Sequence, residues 1–284
     1  DAIQHIIESA SGDVAGTPAT MAWVREMQAW LEAVAPHAFW LGETYALSTP
    51  IVARYHEEGN LDMSLDYPGW SALFQAVSQR SAGPLEQQLL EDAQQYPAGA
   101  LRARFSANHD QVRPASTLGL LRRDEGRLKL VAGLLLTLPG TPMLYYGQEI
   151  GLPNGPGEAD EQKRTPMPWS PGPGQGFTEG RPWFAFSSQD PSLTVEVQRQ
   201  DPTSIWSTYK ALIALRRATP ALVRGDVKVL APENGAILAF VREAAEDQVL
   251  VVTNLAARPV TFRASERPAG SFEPLFGPAL GDGD

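Results

Sequence analysis

The chain of 284 residues is long enough to bury a hydrophobic core without disulfide or metal cross-links. Hydrophobic residues make up 43% of it and charged residues 20%, which excludes a chain that is disordered throughout. A formal net charge of −10 disfavours nucleic acid and anionic membrane surfaces as partners. The sequence contains no cysteine, which excludes disulfides, thiolate metal sites and a cysteine nucleophile.

Apolar segments typical of strands alternate with helical patterns over the first part of the chain. Thr17 followed by Pro18 predicts the start of a helix, and Asp201 followed by Pro202 predicts another. The predicted strands cover residues 38–41, 61–67, 101–105 and 143–146, and the other predicted helices cover residues 85–96 and 127–138. Such alternation indicates βαβ units and a parallel sheet, and about four units make half of a (β/α)8 barrel.

The pattern changes twice after the last predicted barrel strand. Residues 151–202 are rich in Gly, Pro, Ser and Gln, which in a compact domain indicates a functional or a mobile loop. Short strand patterns follow at 227–230, 236–241, 248–254 and 260–262, with a hairpin turn signal at 233–235. We therefore predict an α/β catalytic half barrel over residues 1–220 and an antiparallel β domain over residues 221–284.

Acidic residues mark the ends of the predicted barrel strands. Glu43 and Asp110 each follow an apolar strand, and Asp1 opens the chain before Ala2 and Ile3. The carboxyl ends of parallel barrel strands face one mouth, so such carboxylates converge there. Converging carboxylates with unequal pKa values supply the acid and the nucleophile of glycoside hydrolysis. The alternative is structural: an acid after a strand is commonly a helix cap or a loop charge, and His109 beside Asp110 is then a structural hydrogen bond.

Several segments, taken in order, resemble the second half of an α-amylase family enzyme (glycoside hydrolase family 13). The segments that carry the resemblance are Asp1 to Ile6, Leu41-Gly42-Glu43, Phe105 to Asp110, Gly140 to Gly151 and Lys163 to Trp169. The resemblance implies that Asp1 is the nucleophile, Glu43 the general acid and Asp110 the carboxylate that stabilises the transition state. It also implies that His109 binds sugar hydroxyls.

Further ligand contacts are predicted at His5 and Tyr45. His5 is expected to contact a glucose on the leaving side, or else to pack inside the barrel, and the ring of Tyr45 is expected to stack on a sugar. The resemblance further implies Ca²⁺ held in part by the backbone carbonyl of His5, with its other ligands outside this chain. No organic cofactor is expected. Gln148 departs from the family pattern, in which an acidic residue often stands at this place.

The expected reaction is retaining hydrolysis of α-1,4-glucosidic bonds in starch or malto-oligosaccharides, as in bacterial maltodextrin-cleaving α-amylases. An α-glucosidase or a trehalose synthase-like transglycosidase of the same family is the nearest alternative. A non-catalytic amylase-fold partner protein is the alternative of another class, and the three acids disfavour it. A half barrel leaves unpaired sheet edges, so the N-terminal half of the barrel is expected to be needed. The composition fits a secreted, a periplasmic or a cytoplasmic protein alike.

Overall fold

A computed structural model describes residues 3–8, 10, 12, 15–45, 48–57, 60–118, 124–263 and 272–277. Its strands are β1 (Leu41–Gly42), β2 (Met63–Leu65), β3 (Leu101–Phe105), β4 (Thr141–Met143), β5 (Asp226–Val229), β6 (Ile237–Glu243) and β7 (Gln248–Asn254). Its α-helices are α1 (Pro18–Val34), α2 (Thr49–Arg54), α3 (Tyr67–Gln79), α4 (Gly83–Gln95), α5 (Pro114–Thr117), α6 (Glu125–Thr137), α7 (Val195–Gln200), α8 (Ile205–Ala218) and α9 (Pro220–Arg224). Within these residues no helix is long and apolar enough to cross a membrane.

The first four strands form a parallel sheet in the order β1-β2-β3-β4, with helices in the connections between them. The register pairs Leu41 with Met63, and Phe105 with Met143. Among the described residues this is the sequential parallel arrangement predicted for half of a (β/α)8 barrel. All four carboxyl ends therefore lie at the same edge of the sheet.

The chain divides into two compact units that interleave along the sequence. The first unit comprises residues 1–75, 83–105 and 140–143 and contains the parallel sheet. The second unit comprises residues 76–82, 106–139 and 144–284 and contains the antiparallel sheet β5-β6-β7.

Each unit has its own hydrophobic core. In the first unit, α1 packs on the chain before β2 through buried Met21, Val24 and Tyr55. In the second unit, α6 packs on α8 through Leu128, Ala132, Leu136, Tyr209 and Leu212. A third core lies behind the antiparallel sheet and is formed by Leu230, Ile237, Ala239 and Val241.

The N-terminal caps of two helices confirm one predicted helix start and contradict the other. The Thr17 side chain accepts a hydrogen bond from the Thr20 amide, so α1 begins where the sequence predicts it. The predicted start at Asp201 is wrong, because α8 begins at Ile205 with Ser204 as its cap. Asp201 instead accepts hydrogen bonds from the amide and the hydroxyl of Thr203, which forms a local turn before the helix.

Several strand predictions also differ from the structure. The strand predicted over residues 61–67 is shorter, because β2 covers Met63–Leu65 and Tyr67 begins α3. Strand β1 begins at Leu41 instead of residue 38, and Phe39 is exposed. Strand β4 ends at Met143 because the chain turns before Gly147, which has a φ of 84°. Residues 260–262 form no strand, although Val260 and Phe262 pack against the core of the antiparallel sheet. Burial of their side chains gave these positions a strand-like pattern without a hydrogen-bonded ladder.

Candidate active site

Glu43 follows β1 directly and is half-buried. One carboxyl oxygen, Oε1, accepts a hydrogen bond of 3.1 Å from the hydroxyl of Tyr67, and Tyr67 is buried. The backbone carbonyl of Glu43 accepts a hydrogen bond of 3.2 Å from the Ile3 amide. The Glu43 side chain is therefore held at the carboxyl edge of the sheet by a neighbour that the sequence did not identify.

Tyr67 also connects Glu43 to aromatic neighbours. Its ring packs edge-to-face on Tyr45 and on Phe105, each with centroids 5.1 Å apart. Tyr45 is 51% exposed, and its carbonyl accepts a hydrogen bond of 3.3 Å from Gln4 Nε2. The structure thus brings two of the predicted site residues, Glu43 and Tyr45, against the same buried tyrosine. The sequence pattern gave Tyr67 no role and placed it only at the end of the strand predicted over residues 61–67.

Asp66 shows that an acid after a barrel strand need not be catalytic. It follows β2, caps α3 through the Gly69 amide at 3.0 Å, and forms an ion pair of 2.7 Å with Arg104. Both side chains are almost completely buried. The Asp66 carboxylate therefore caps a helix and forms a buried ion pair. This is the structural role that an acidic residue after a strand commonly has in place of a catalytic one.

The Asp110 segment is held in a tight turn in the second unit. Asn108 Oδ1 accepts hydrogen bonds from the amides of Asp110 at 2.9 Å and Gln111 at 2.8 Å. His109 Nε2 lies 3.2 Å from Asp110 Oδ2, and both side chains are partly exposed. The turn therefore brings together His109 and Asp110, which were both predicted as site residues.

Arg164 lies in the long connection after β4 and forms hydrogen bonds with this turn. Its Nη2 donates to Asp110 Oδ1 at 2.7 Å, and its Nε donates to the His109 carbonyl at 3.1 Å. A charge-assisted pair with a second bond to the backbone fixes both the carboxylate and the segment that carries it. The sequence placed Arg164 in a family-like loop without a role, and nothing local to it predicts a contact 54 residues away.

Arg113 follows the Asp110 turn in the sequence, and its side chain is fully buried. Its guanidinium carbon lies 4.6 Å from the ring centre of Tyr145 and 4.7 Å from that of Tyr146. Its Nε donates to the Lys163 carbonyl at 3.2 Å, next to Arg164, and its Nη1 donates to the Tyr146 carbonyl. Burial lowers the pKa of Arg113 and raises the pKa of Tyr145 to about 12. The guanidinium thus connects the segment that carries Asp110 with Tyr145 and Tyr146, which follow β4, and with the Arg164 loop.

Gln148, the departure from the family pattern, belongs to a buried polar network. Its Oε1 accepts a hydrogen bond of 3.1 Å from Ser106, and burial of Gln148 is almost complete. The neighbouring Tyr209 hydroxyl is also buried, and burial together with the nearby Glu149 raises its pKa. A neutral amide suits this place, because a carboxylate here would be a further buried charge beside Glu149.

The predicted site residues belong to different compact units. Glu43 and Tyr45 lie in the first unit, and His109 and Asp110 lie in the second. Asp1, the predicted nucleophile, lies outside the described residues.

The predicted calcium ligand, the backbone carbonyl of His5, belongs to an exposed residue at the end of a 3-10 turn. Within the part of the chain that the structure describes, no group of three or more His, Asp or Glu side chains is placed to hold a metal ion. The expectation that most calcium ligands lie outside this chain stays a prediction.

Comparison with known proteins identifies two matching domain families. The alpha amylase catalytic domain matches residues 4–225, and the maltogenic amylase C-terminal domain matches residues 227–279. The "Probable oligo-1,6-glucosidase 3" of Bacillus subtilis (strain 168) is 30% identical over 60% of this chain and 37% of its own length. The trehalose synthase of Thermus thermophilus is 30% identical over 90% of this chain and 30% of its own length.

Solved structures agree with these matches. The crystal structure of an alpha-amylase from H. orenii superposes with a TM-score of 0.74 at 26% identity, over 86% of this chain and 50% of that one. The chain thus spans half or less of the length of these three proteins. The predicted fold, part of a (β/α)8 barrel followed by a small all-β domain, is confirmed.

Proposed function

Because the chain belongs to the α-amylase family, we propose that it carries catalytic groups of a retaining glycoside hydrolase. The proposed substrates are starch or malto-oligosaccharides, cleaved at α-1,4-glucosidic bonds. The observation that carries the proposal is the placement of Glu43 directly after β1, with its carboxyl held by the buried hydroxyl of Tyr67. Catalytic residues of barrel enzymes lie at such strand ends.

In the proposed mechanism, Glu43 donates a proton to the glycosidic oxygen while Asp1 attacks the anomeric carbon from the opposite face. The bond to the leaving sugar breaks, and a covalent glycosyl intermediate forms on Asp1. Glu43 then takes a proton from a water molecule, which releases the intermediate with its configuration retained. The Tyr67 hydroxyl supports this role because it fixes the rotation of the Glu43 carboxyl.

Asp110 stabilises the positive charge that develops on the sugar, and Arg164 and the Asn108 turn orient it. His109 and Tyr45 bind sugar hydroxyls and a sugar face, and His5 contacts the leaving side. The N-terminal half of the barrel completes the cavity. The His5 carbonyl would be one ligand of a bound Ca²⁺, and the other ligands would lie mostly outside this chain.

The test replaces the general acid. Glu43→Gln, made in the full protein that contains this chain, should lower turnover of maltoheptaose on the order of 10²–10⁴-fold. Glu26→Gln on the exposed face of α1 is the matched control and should turn over normally. Normal activity of Glu43→Gln would refute the assignment. A fluoroglycoside that labels Asp1 supports the nucleophile, and failure to label favours a non-catalytic amylase-fold protein.

The relatives favour a second candidate, an α-glucosidase or a trehalose synthase-like transglycosidase. One 30% identical protein is called a trehalose synthase, and another bears the name of an oligo-1,6-glucosidase. Incubation with maltoheptaose, maltose and isomaltose separates these activities. Cleavage of maltoheptaose supports the amylase, glucose released from maltose or isomaltose supports an α-glucosidase, and conversion of maltose to trehalose supports the transglycosidase.

A further inference from the structure

Gln4 is a buried polar residue near the start of the first unit. Only 2% of its surface is exposed, whereas glutamine side chains mostly lie in water. A buried amide costs free energy unless it forms hydrogen bonds, so its partner indicates what it does. Gln4 Nε2 donates to the backbone carbonyl of Tyr45 at 3.3 Å, 41 residues further along the chain. The amide therefore joins the segment that follows Asp1 in the sequence to the segment that follows β1.

A backbone hydrogen bond joins the same two segments. The Ile3 amide donates to the Glu43 carbonyl at 3.2 Å. In a parallel ladder the next bond of this kind would lie two residues further along each segment, because alternate residues bond to the same neighbour. The chain instead enters a 3-10 turn over Ile3–His5, which does not continue a ladder. The side chain of Gln4 supplies the donor that the Tyr45 carbonyl would otherwise receive from the backbone.

Only the donor end of the Gln4 amide is used in this way. Its Oε1 is buried and has no hydrogen-bond donor among the described residues. An apolar side chain of similar size would avoid the cost of that unpaired oxygen, but it would remove the donor from the Tyr45 carbonyl. The hydrogen bond from Nε2 is therefore the contribution that distinguishes Gln4 from a hydrophobic residue.

The opposite edge of the segment after β1 is bonded to β2. The hydroxyl of Thr44, which is fully buried, donates to the Leu65 carbonyl at 3.0 Å. Loss of the Gln4 amide would leave this bond in place and would remove a bond on the side of Ile3. The segment would therefore keep its position beside β2, while its spacing from the residues that follow Asp1 would be less well fixed.

This spacing affects the proposed reaction. In retaining glycoside hydrolysis the nucleophile and the acid lie about 5–5.5 Å apart, and a displacement of about 1 Å can cost on the order of 100-fold in rate. Asp1 precedes Ile3 by two residues, and the Glu43 carbonyl accepts the bond from Ile3. A change in the distance between the two bonded segments is therefore expected to displace the proposed nucleophile from the proposed acid.

We propose that Gln4 is a positioning residue for the glycosidic reaction. Its buried amide sets the spacing between the Asp1 segment and the Glu43 segment by replacing a hydrogen bond between strands. This inference rests on the proposed function. Gln4 is buried and bonds to the backbone of Tyr45, so it acts through the segment that carries Glu43 and not on the sugar.

The experiment compares two substrates of the full protein that contains this chain. Maltoheptaose has a poor leaving group and needs the proton from Glu43, whereas α-maltosyl fluoride has a good leaving group and needs that proton much less. Gln4→Met keeps the size of the side chain and removes the donor. It should lower kcat/KM for maltoheptaose about tenfold and kcat/KM for the fluoride by about twofold or less. A smaller fraction of folded protein would lower both values by the same factor, so their ratio measures positioning.

Gln28→Met is the matched control. Gln28 is a buried glutamine on α1, and its Nε2 donates to Glu32 within the same helix at 3.1 Å. This variant should leave the ratio of the two kcat/KM values unchanged. Gln4→Asn has an amide one methylene too short to reach the Tyr45 carbonyl. It should reproduce the selective loss, and it is the variant to measure if Gln4→Met does not fold.

Equal losses on both substrates, or no loss on either, in the Gln4 variants would overturn the proposal. Failure of both variants to fold would make Gln4 a residue of the core and would also overturn it. Glu43→Gln separates this proposal from the proposed function. If Glu43→Gln keeps full turnover of maltoheptaose, the catalytic assignment fails. If Glu43→Gln loses turnover while the Gln4 variants keep the ratio of the unmodified protein, only the role of Gln4 is wrong.

Discussion

The sharpest prediction about stability concerns His56, a half-buried imidazole that follows α2. Its Nε2 lies 2.7 Å from the Ser64 hydroxyl in β2, and its ring packs edge-to-face on Tyr96 at 5.3 Å. Burial, with a smaller contribution from the Arg102 charge, lowers the pKa of His56 from 6.5 to about 4. The folded state therefore protonates His56 less readily than the unfolded state does. The contribution of neutral His56 to the free energy of unfolding is lost as the pH falls below 6.5 towards the folded pKa.

The magnitude follows from the two pKa values. A shift from 6.5 to about 4 corresponds at its limit to about 3 kcal/mol of unfolding free energy. That contribution is fully present above about pH 7, and about 2 kcal/mol of it is gone at about pH 5. The remainder disappears as the pH approaches the folded pKa.

The assay is urea denaturation at about pH 7.5 and about pH 5 of the full protein that contains this chain, in three forms: unmodified, His56→Gln, and His37→Gln as a control at an exposed histidine. Titrating carboxyl groups affect all three proteins alike. The loss of unfolding free energy between the two pH values should be about 2 kcal/mol smaller in His56→Gln than in the other two. An identical pH dependence in all three proteins would refute the reasoning.

Two paired substitutions test packing and site geometry. Gly69→Ala should lower the free energy of unfolding by at least about 2 kcal/mol, because its Cβ would lie 1.8 Å from the buried Arg104 guanidinium. Gly133→Ala is the control, since a Cβ at Gly133 would meet nothing within 4 Å, and it should be neutral or stabilise the protein by up to about 1 kcal/mol. Thermal unfolding measures both effects. Arg113→Lys should reduce kcat roughly tenfold by loosening the Asp110 loop, whereas Arg242→Lys, at an equally buried arginine in the β domain, should lower only the melting temperature. Equal kcat values for these two variants would contradict the positioning role.

Much of the fold was accessible from local pattern. The helix cap at Thr17 and the alternating strand at residues 101–105 are short-range signals, because the groups that form them lie within a few residues of each other. The strand prediction failed where side-chain burial gives an alternating apolar pattern but the backbone forms no hydrogen bonds to a neighbouring strand. Residues 260–262 have the apolar alternation of a strand, but among the described residues no strand pairs with them.

The sequence by itself determined the family and predicted the catalytic candidates Asp1, Glu43 and Asp110, since these depend on the order of short motifs along the chain. Only the tertiary structure decided which side chains meet. Tyr67 donates a hydrogen bond to Glu43, and Arg164 donates one to Asp110. Asp66 forms a buried ion pair with Arg104. The physical reason is distance along the chain. Propensity and periodicity act over a few residues, whereas these side chains meet only after strands far apart in sequence have paired.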